Sequence, residues 1–313
     1  MPLISVIMPL FNKEAYLGAA IESVQNQTFS DWELVVVDNG STDSSYTVAE
    51  MFALADPRVK IIKFIEKQGP GATRNYGLSL ASGEWVLFFD ADDLLDPDYF
   101  AHAALMFGSE NSADLFTGGW LEFENSTDQI SPREMAPAGI GKSTECVSDF
   151  AIAFAPWAVH SSFIRRVALD DSHKWPESLD QFLGEDISFW FTLLLDFKVA
   201  WLKMVGAVYR METPGCRSKR SDIQLWHDGV IRAVRKNLHE VQLRGRELRE
   251  GEIESLFRLY EVFYRQAKSC RHDAIQVSSK IEAVAYLKRL SFLYLLMKPA
   301  LLVRRIFSIF IFQ

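Results

Sequence analysis

The amino-acid sequence predicts an α/β fold with a mainly parallel central sheet, followed by a C-terminal helical region. Two observations carry this. From Leu3 to about Gly119, short apolar runs rich in Val, Ile, Leu and Phe alternate with stretches of helical period, the pattern of a parallel sheet with crossover helices. After Ser221 the pattern is helical to the end. Four runs are continuous enough to be strands buried on both faces: Ile4 to Met8, Glu33 to Val37, Val59 to Phe64 and Trp85 to Phe89. Leu17, Ala20, Ile21 and Val24 recur at helical spacing after the first run. Pro70 opens a further helix at a first-turn position, where its missing N–H costs nothing, and the apolar face continues through Leu78.

Between Glu122 and Val147 the sequence turns polar, with several Ser, Pro and Gly, and reads as a surface loop or short irregular segment. Phe163 to Val167 predicts a strand or short helix, Ile187 to Leu195 a helix, and Val199 to Tyr209 a further strand. The expected organisation is one domain over residues 1–220, in halves of about 1–119 and 120–220, and a helical region over 221–313. Charged faces such as Arg244 to Glu254 read as solvated surface.

Composition narrows the function classes. The chain has 313 residues, 49% hydrophobic and 24% charged, which is globular composition. A formal charge of -8 lacks the basic footprint of a nucleic-acid binder. The three cysteines, Cys146, Cys216 and Cys270, form no CxxC pair, so neither a disulfide framework nor a cysteine zinc site is indicated, and a cytoplasmic setting is expected. The first residues show no signal-peptide pattern. Tyr286 to Phe312 is strongly apolar but interrupted by Lys288, Arg289, Lys298, Pro299, Arg304 and Arg305, short of the roughly 18 to 20 apolar residues a spanning helix needs. Two readings of residues 286–313 stand open: helices packed on the α/β domain or on a second copy in a homo-oligomer, or basic amphipathic helices on the inner face of the cytoplasmic membrane.

In parallel α/β sheets ligands bind at the carboxyl ends of strands, so the polar residues following each run are candidates. The strongest is Asp90-Ala91-Asp92-Asp93. Three carboxylates within four residues repel one another unless a cation sits among them. Oxygen-only ligands favour Mg2+ or Mn2+, and Mg2+ commonly shares its shell with phosphates, which makes a nucleoside diphosphate a natural third party. The bland reading, a turn and helix start, needs one carboxylate and not three. Asp38, before an Asn-Gly turn, could accept from a base or ribose or could cap the next helix. Arg74 follows Gly69-Pro70-Gly71-Ala72, small residues that permit close approach of a ligand; an exposed surface Arg is the alternative. Glu185-Asp186 stand at a helix start, where the macrodipole alone favours acids. Trp157 and His160 read equally as an acceptor pocket or as core. The six histidines show no pair at metal-ligand spacing.

In order, Ser5-Val6-Ile7-Met8-Pro9-Leu10-Phe11-Asn12, Val36-Val37-Asp38-Asn39-Gly40-Ser41-Thr42-Asp43, Gly71-Ala72-Thr73-Arg74-Asn75-Tyr76-Gly77, Phe89-Asp90-Ala91-Asp92-Asp93 and Gly184-Glu185-Asp186 resemble family 2 glycosyltransferases of the GT-A fold, a Rossmann-like nucleotide-binding architecture. The resemblance covers roughly residues 3 to 215. It implies inverting transfer from a nucleotide-sugar, most often a uridine diphosphate sugar, to a hydroxyl of a glycan or lipid-linked glycan in cell-surface polysaccharide synthesis. It further implies nucleotide-sugar contacts from Pro9, Phe11, Asn12, Asp38, Arg74, Asp90 and Ala91, Mn2+ or Mg2+ on Asp92 with Asp90, and Asp186 as catalytic base. Trp157, His160 and Glu185 are the acceptor-side candidates. Two departures stand out: Phe11 replaces a frequent Tyr, and Glu212 stands where many relatives have a histidine that helps hold the diphosphate or metal, so that Glu212 could ligate the metal or the site is completed elsewhere. Cys216-Arg217-Ser218-Lys219-Arg220 reads as a basic loop closing over the diphosphate or as an exposed linker. The competing classes are a non-catalytic nucleotide-sugar binder and a membrane-surface scaffold. A nucleotidyltransferase would carry a Gly-rich loop after its first strand, and Pro9 to Lys13 has none.

Overall fold

The computed structural model describes residues 1–64, 69–108, 113–124, 133–211 and 223–269. Glu212, the basic segment 216–220, the domain boundary expected near 220 and the 286–313 tail lie outside the described residues. The four expected strands form as β1 (Ile4–Leu10), β2 (Trp32–Asp38), β3 (Val59–Lys63) and β4 (Trp85–Phe88), joined through helices α1 (Glu14–Gln25), α2 (Ser45–Ala55) and α3 (Pro70–Leu80). They pair in parallel in the order β3-β2-β1-β4, with Leu10 beside Asp38 and Ile7 beside Phe88. β1, β2 and β4 are buried on both faces, whereas β3, at the sheet edge, exposes Lys60 and Lys63. Ile4, Val6 and Met8 of β1 join one apolar cluster with Leu17, Ile21 and Val24 of α1, while Ile7 points into another with Phe88. Each such side chain contributes about 1.5 to 3 kcal/mol when fully buried.

The chain continues through β5 (Leu94–Leu95), α4 (Tyr99–Phe107), β6 (Leu115–Glu124), β7 (Arg133–Met135), α5 (Thr144–Ala151), β8 (Ser162–Arg165), α6 (Glu185–Asp196), β9 (Val199–Met211), α7 (Ile223–Leu243) and α8 (Glu250–Ser269). β8 lies antiparallel between β4 and β6, β9 runs parallel to β6, and β5 closes the edge. The segment expected to be irregular between Glu122 and Val147 carries the end of β6, the three-residue β7 and the start of α5, whose Ser143 cap accepts from the Cys146 amide. Elements this short leave no periodic signature.

The charged face from Arg244 to Glu254 also departs from expectation. Glu252 is fully buried, paired with Arg246 at 2.7 Å and with Arg249 at 3.3 Å, and Arg249 also pairs with Asp149 of α5. Arg244 grips Asp196 at the end of α6 with two bonds of 2.7 Å. These charges fasten helices to one another. Val230, Val234, Leu256 and Phe263 of α7 and α8 share the cluster that holds Trp190 and Phe191 of α6. Among the described residues no helix is long and apolar enough to cross a membrane.

Candidate active site

The carboxyl ends of β1, β2 and β4 converge on one cleft. Asn12 adopts φ 50°, a left-handed conformation Asn tolerates better than most residues, and so turns the chain after β1. Its Oδ1 accepts from the Thr42 amide at 2.8 Å and its own amide donates to Ser41 Oγ at 3.1 Å, lacing the β1 loop to the β2 loop. Asp38 is buried and accepts from the Ser41 amide at 3.2 Å, so it caps its own turn.

Every acid of Asp90-Ala91-Asp92-Asp93 has a protein cation or amide on it. Arg74 Nη2 donates to Asp90 Oδ1 at 2.7 Å, and Lys13 Nζ to Asp92 Oδ2 at 2.6 Å. Asp93 is 1% exposed; its Oδ1 accepts from the Arg210 amide at 2.8 Å, and its Oδ2 lies 3.1 Å from His160 Nδ1. Arg210 Nε donates to the Asp92 carbonyl at 2.9 Å. Burial works against ionisation of Asp90, yet the Arg74 guanidinium outweighs it and holds the carboxyl below its usual range. Burial and the charges of Asp92 and Asp90 push Asp93 well above that range. Arg74 and Lys13 thus offset part of the repulsion read from sequence, and the rest falls on Asp93.

Arg74 is 5% exposed, not a surface residue. Its guanidinium lies 4.3 Å from the Trp175 ring centroid and 3.7 Å from Glu185, bridging the end of β4 to the start of α6. Burial would lower its pKa, but Asp90 and Glu185 keep it raised and the group charged. The small residues before it do admit a close neighbour, and that neighbour is a protein carboxylate: Asp180 Oδ1 accepts from the Gly71 amide at 2.6 Å and Oδ2 from the Ala72 amide at 2.9 Å.

Gly184 at φ 97° turns the chain into α6 and sets Glu185 and Asp186 in its first turn. Burial, with the Glu185 charge adding to it, raises Asp186 from an ordinary 3.8 to about 6. The Ile187 amide donates to its Oδ1 at 3.0 Å. His160, 1% exposed, is driven down to about 4 by burial and is neutral at pH 7. Trp157, 3% exposed, packs edge-on against Trp190 and Trp201 while still lining the cleft.

The cleft has a volume of about 1010 Å³. Pro9, Phe11, Arg74, Asp90, Ala91, Asp92, Trp157, His160, Glu185 and Asp186 line it; Asn12 and Asp38 stand outside its lining. Apolar side chains line it too: Phe150 of α5, Phe154 just after that helix, Trp226 of α7 and Val262 of α8. Lys13 and Arg210 were missed from the sequence; their signal is a cation directly at the carboxyl end of β1 and of β9. Asp90 and Asp92 are hard oxygen donors at the cleft wall and fit Mg2+ or Mn2+ by chemistry. Among the described residues no three His, Cys, Asp or Glu side chains converge as a complete metal shell.

The mainly parallel α/β sheet, with paired acids and a buried arginine at its strand ends, has the GT-A fold. The chain belongs to glycosyl transferase family 2, whose family model matches residues 5–170. It is 31% identical over 213 residues to the GalNAc(5)-diNAcBac-PP-undecaprenol beta-1,3-glucosyltransferase of Campylobacter jejuni, covering 67% of this chain and 65% of that one. It is 42% identical over 98 residues to the Bacillus subtilis glycosyltransferase EpsH, covering 31% of this chain. The chain spans only 28% of EpsH's length. Among solved structures, Staphylococcus aureus TarS 1-349 in complex with UDP-GlcNAc matches with a TM-score of 0.63 at 21% identity, over 88% of this chain and 75% of that one, a likeness of fold.

Proposed function

We propose that this protein is an inverting glycosyltransferase that moves a sugar from a uridine diphosphate sugar to a hydroxyl of a glycan or lipid-linked glycan, in cytoplasmic steps of cell-surface polysaccharide or glycolipid synthesis. The observation that carries this reading is that Arg74, paired with Asp90, lines the same cleft as a partly buried Asp186 whose pKa is raised to about 6. Pro9, Phe11 and Ala91 line the donor end, and Asn12 and Asp38 shape the loops behind it. Trp157, His160, Glu185 and the apolar lining form the acceptor side. The C. jejuni relative is named for a polyprenyl-linked acceptor, which suits that lining.

In the reaction, Asp186 takes the proton of the acceptor hydroxyl as its oxygen attacks the anomeric carbon from the face opposite the diphosphate. The new C–O bond forms, the bond from the anomeric carbon to the diphosphate oxygen breaks, and its electron pair leaves with UDP. One displacement inverts the centre. A base with a pKa of about 6 is better matched to an alcohol than an ordinary carboxylate and is still ionised at neutral pH. Arg74 supplies fixed positive charge beside the diphosphate. Asp92, with Asp90, would hold Mn2+ or Mg2+, which offsets charge growing on the leaving diphosphate. A screen of nucleotide-sugars with an acceptor mixture, with and without Mn2+ or Mg2+, tests the reading. We expect metal-stimulated UDP release and a product of inverted anomeric configuration; no release from any donor would reject it.

A further inference from the structure

The segment that delivers Asp186 is fastened to α3 at two places. The first is the Asp180 carboxylate on the Gly71 and Ala72 amides. It satisfies two first-turn donors that the helix leaves without partners and places negative charge at the positive end of its dipole. A Cβ at either Gly69 or Gly71 would collide with the Asp180 side chain, so both glycines are needed for it to seat. The second is Asn75, whose Oδ1 accepts from the Trp175 amide at 2.9 Å and whose Nδ2 donates to the Trp175 carbonyl at 3.0 Å and to Glu177 Oε1 at 2.8 Å. Trp175 itself carries the Arg74 guanidinium and stacks on Phe189 of α6 at 3.9 Å between centroids. α3 is held independently by the sheet, since Gly77 lies directly against Ile7 and Val37.

We propose that Asp180 is a positioning residue for sugar transfer: by seating on the first-turn amides of α3, the helix that carries Arg74, it fixes the distance between the donor contact and the base Asp186. The proposal rests on the reading of Arg74 and Asp186 given above. Because the sheet holds α3, losing the Asp180 clasp loosens the base, which Asn75 alone then ties to α3, and leaves the donor contact in place. The consequence is a loss in turnover without a matching loss in donor affinity.

Three variants of the full chain test this: Asp180→Ala, Asp180→Asn and Gly71→Ala, the last keeping the carboxylate but filling its seat. UDP affinity is read by calorimetry. Turnover is read as UDP release from the most active of UDP-glucose, UDP-galactose, UDP-N-acetylglucosamine and UDP-N-acetylgalactosamine. All three are expected to hold UDP affinity within about twofold and to lose about ten- to a hundredfold in kcat, the scale on which a displaced catalytic group acts. Unchanged kcat in Asp180→Asn and Gly71→Ala would overturn the proposal. So would UDP affinity, kcat and the cooperative unfolding transition falling together, which marks a fold residue. Failure of the underlying reading looks different: Asp186→Asn would then keep full transfer, whatever the Asp180 variants do.

Discussion

Asp186 and Arg74 set opposite demands on their surroundings. The base needs a site that disfavours its charge, and the first turn of α6 supplies one by partly desolvating it next to Glu185, which raises it to about 6. A base must be ionised to accept a proton, so transfer is expected to rise with pH through about 6 and to level off above it; a kcat profile between pH 4.5 and 8 checks this. The same shift bears on stability with the opposite sense. The neutral form is favoured in the fold, so its contribution is full below about 3.8 and is lost as pH rises through about 6. Arg74 needs a site that keeps its charge, which Asp90 and Glu185 provide. Arg74→Lys gives up the planar group against Trp175, and UDP affinity measured by calorimetry is expected to fall about tenfold, ~1.4 kcal/mol. In the sequence, Asp90 and Asp92 stood out by their place after an apolar run, whereas Arg74 and Asp186 were drawn toward the site only by the family resemblance. The pairings were not legible, because Lys13 on Asp92 and His160 on Asp93 join residues far apart in the chain.

The first four strands and their helices were legible because a strand buried on both faces reads as an unbroken apolar run and a packed helix shows its period. What periodicity does not show is closeness. Gly77 sits where a Cβ would meet the Ile7 and Val37 side chains, letting α3 approach β1 and β2. Gly77→Ala is expected to cost about 1 to 3 kcal/mol through overpacking, read as a lower urea midpoint at unchanged slope. Gly69 and Gly71 pointed in the sequence to a ligand seat; they are a seat for Asp180, from a segment more than a hundred residues away. At the other end of the strands, Glu33 is nearly buried; burial would raise its pKa, but Lys60, Ser5 and Ser82 hold it near 2. Its stabilising contribution is present above an ordinary 4.5 and is lost as pH falls through about 2. Acid unfolding of Glu33→Gln is therefore expected to lack that step.

At the scale of the molecule, α7 and α8 complete the apolar cluster behind α6 and form part of the cleft wall. The Arg246, Arg249, Glu252 and Asp149 network binds α8 to α5. In the sequence it resembled solvated charge, since a charged helix face looks the same whether it meets water or a complementary face. Glu252→Ala leaves both arginines without this partner and is expected to destabilise the fold by about 2 to 3 kcal/mol while UDP affinity holds, as thermal unfolding and calorimetry would show. Within one cleft the donor end and the base divide binding from chemistry. Asp186→Asn tests it most directly, with UDP affinity and transfer rate measured on the same preparation. The account predicts unchanged affinity and a rate lowered by at least about a hundredfold; an Asp186→Asn protein that transfers sugar at the full rate would contradict it.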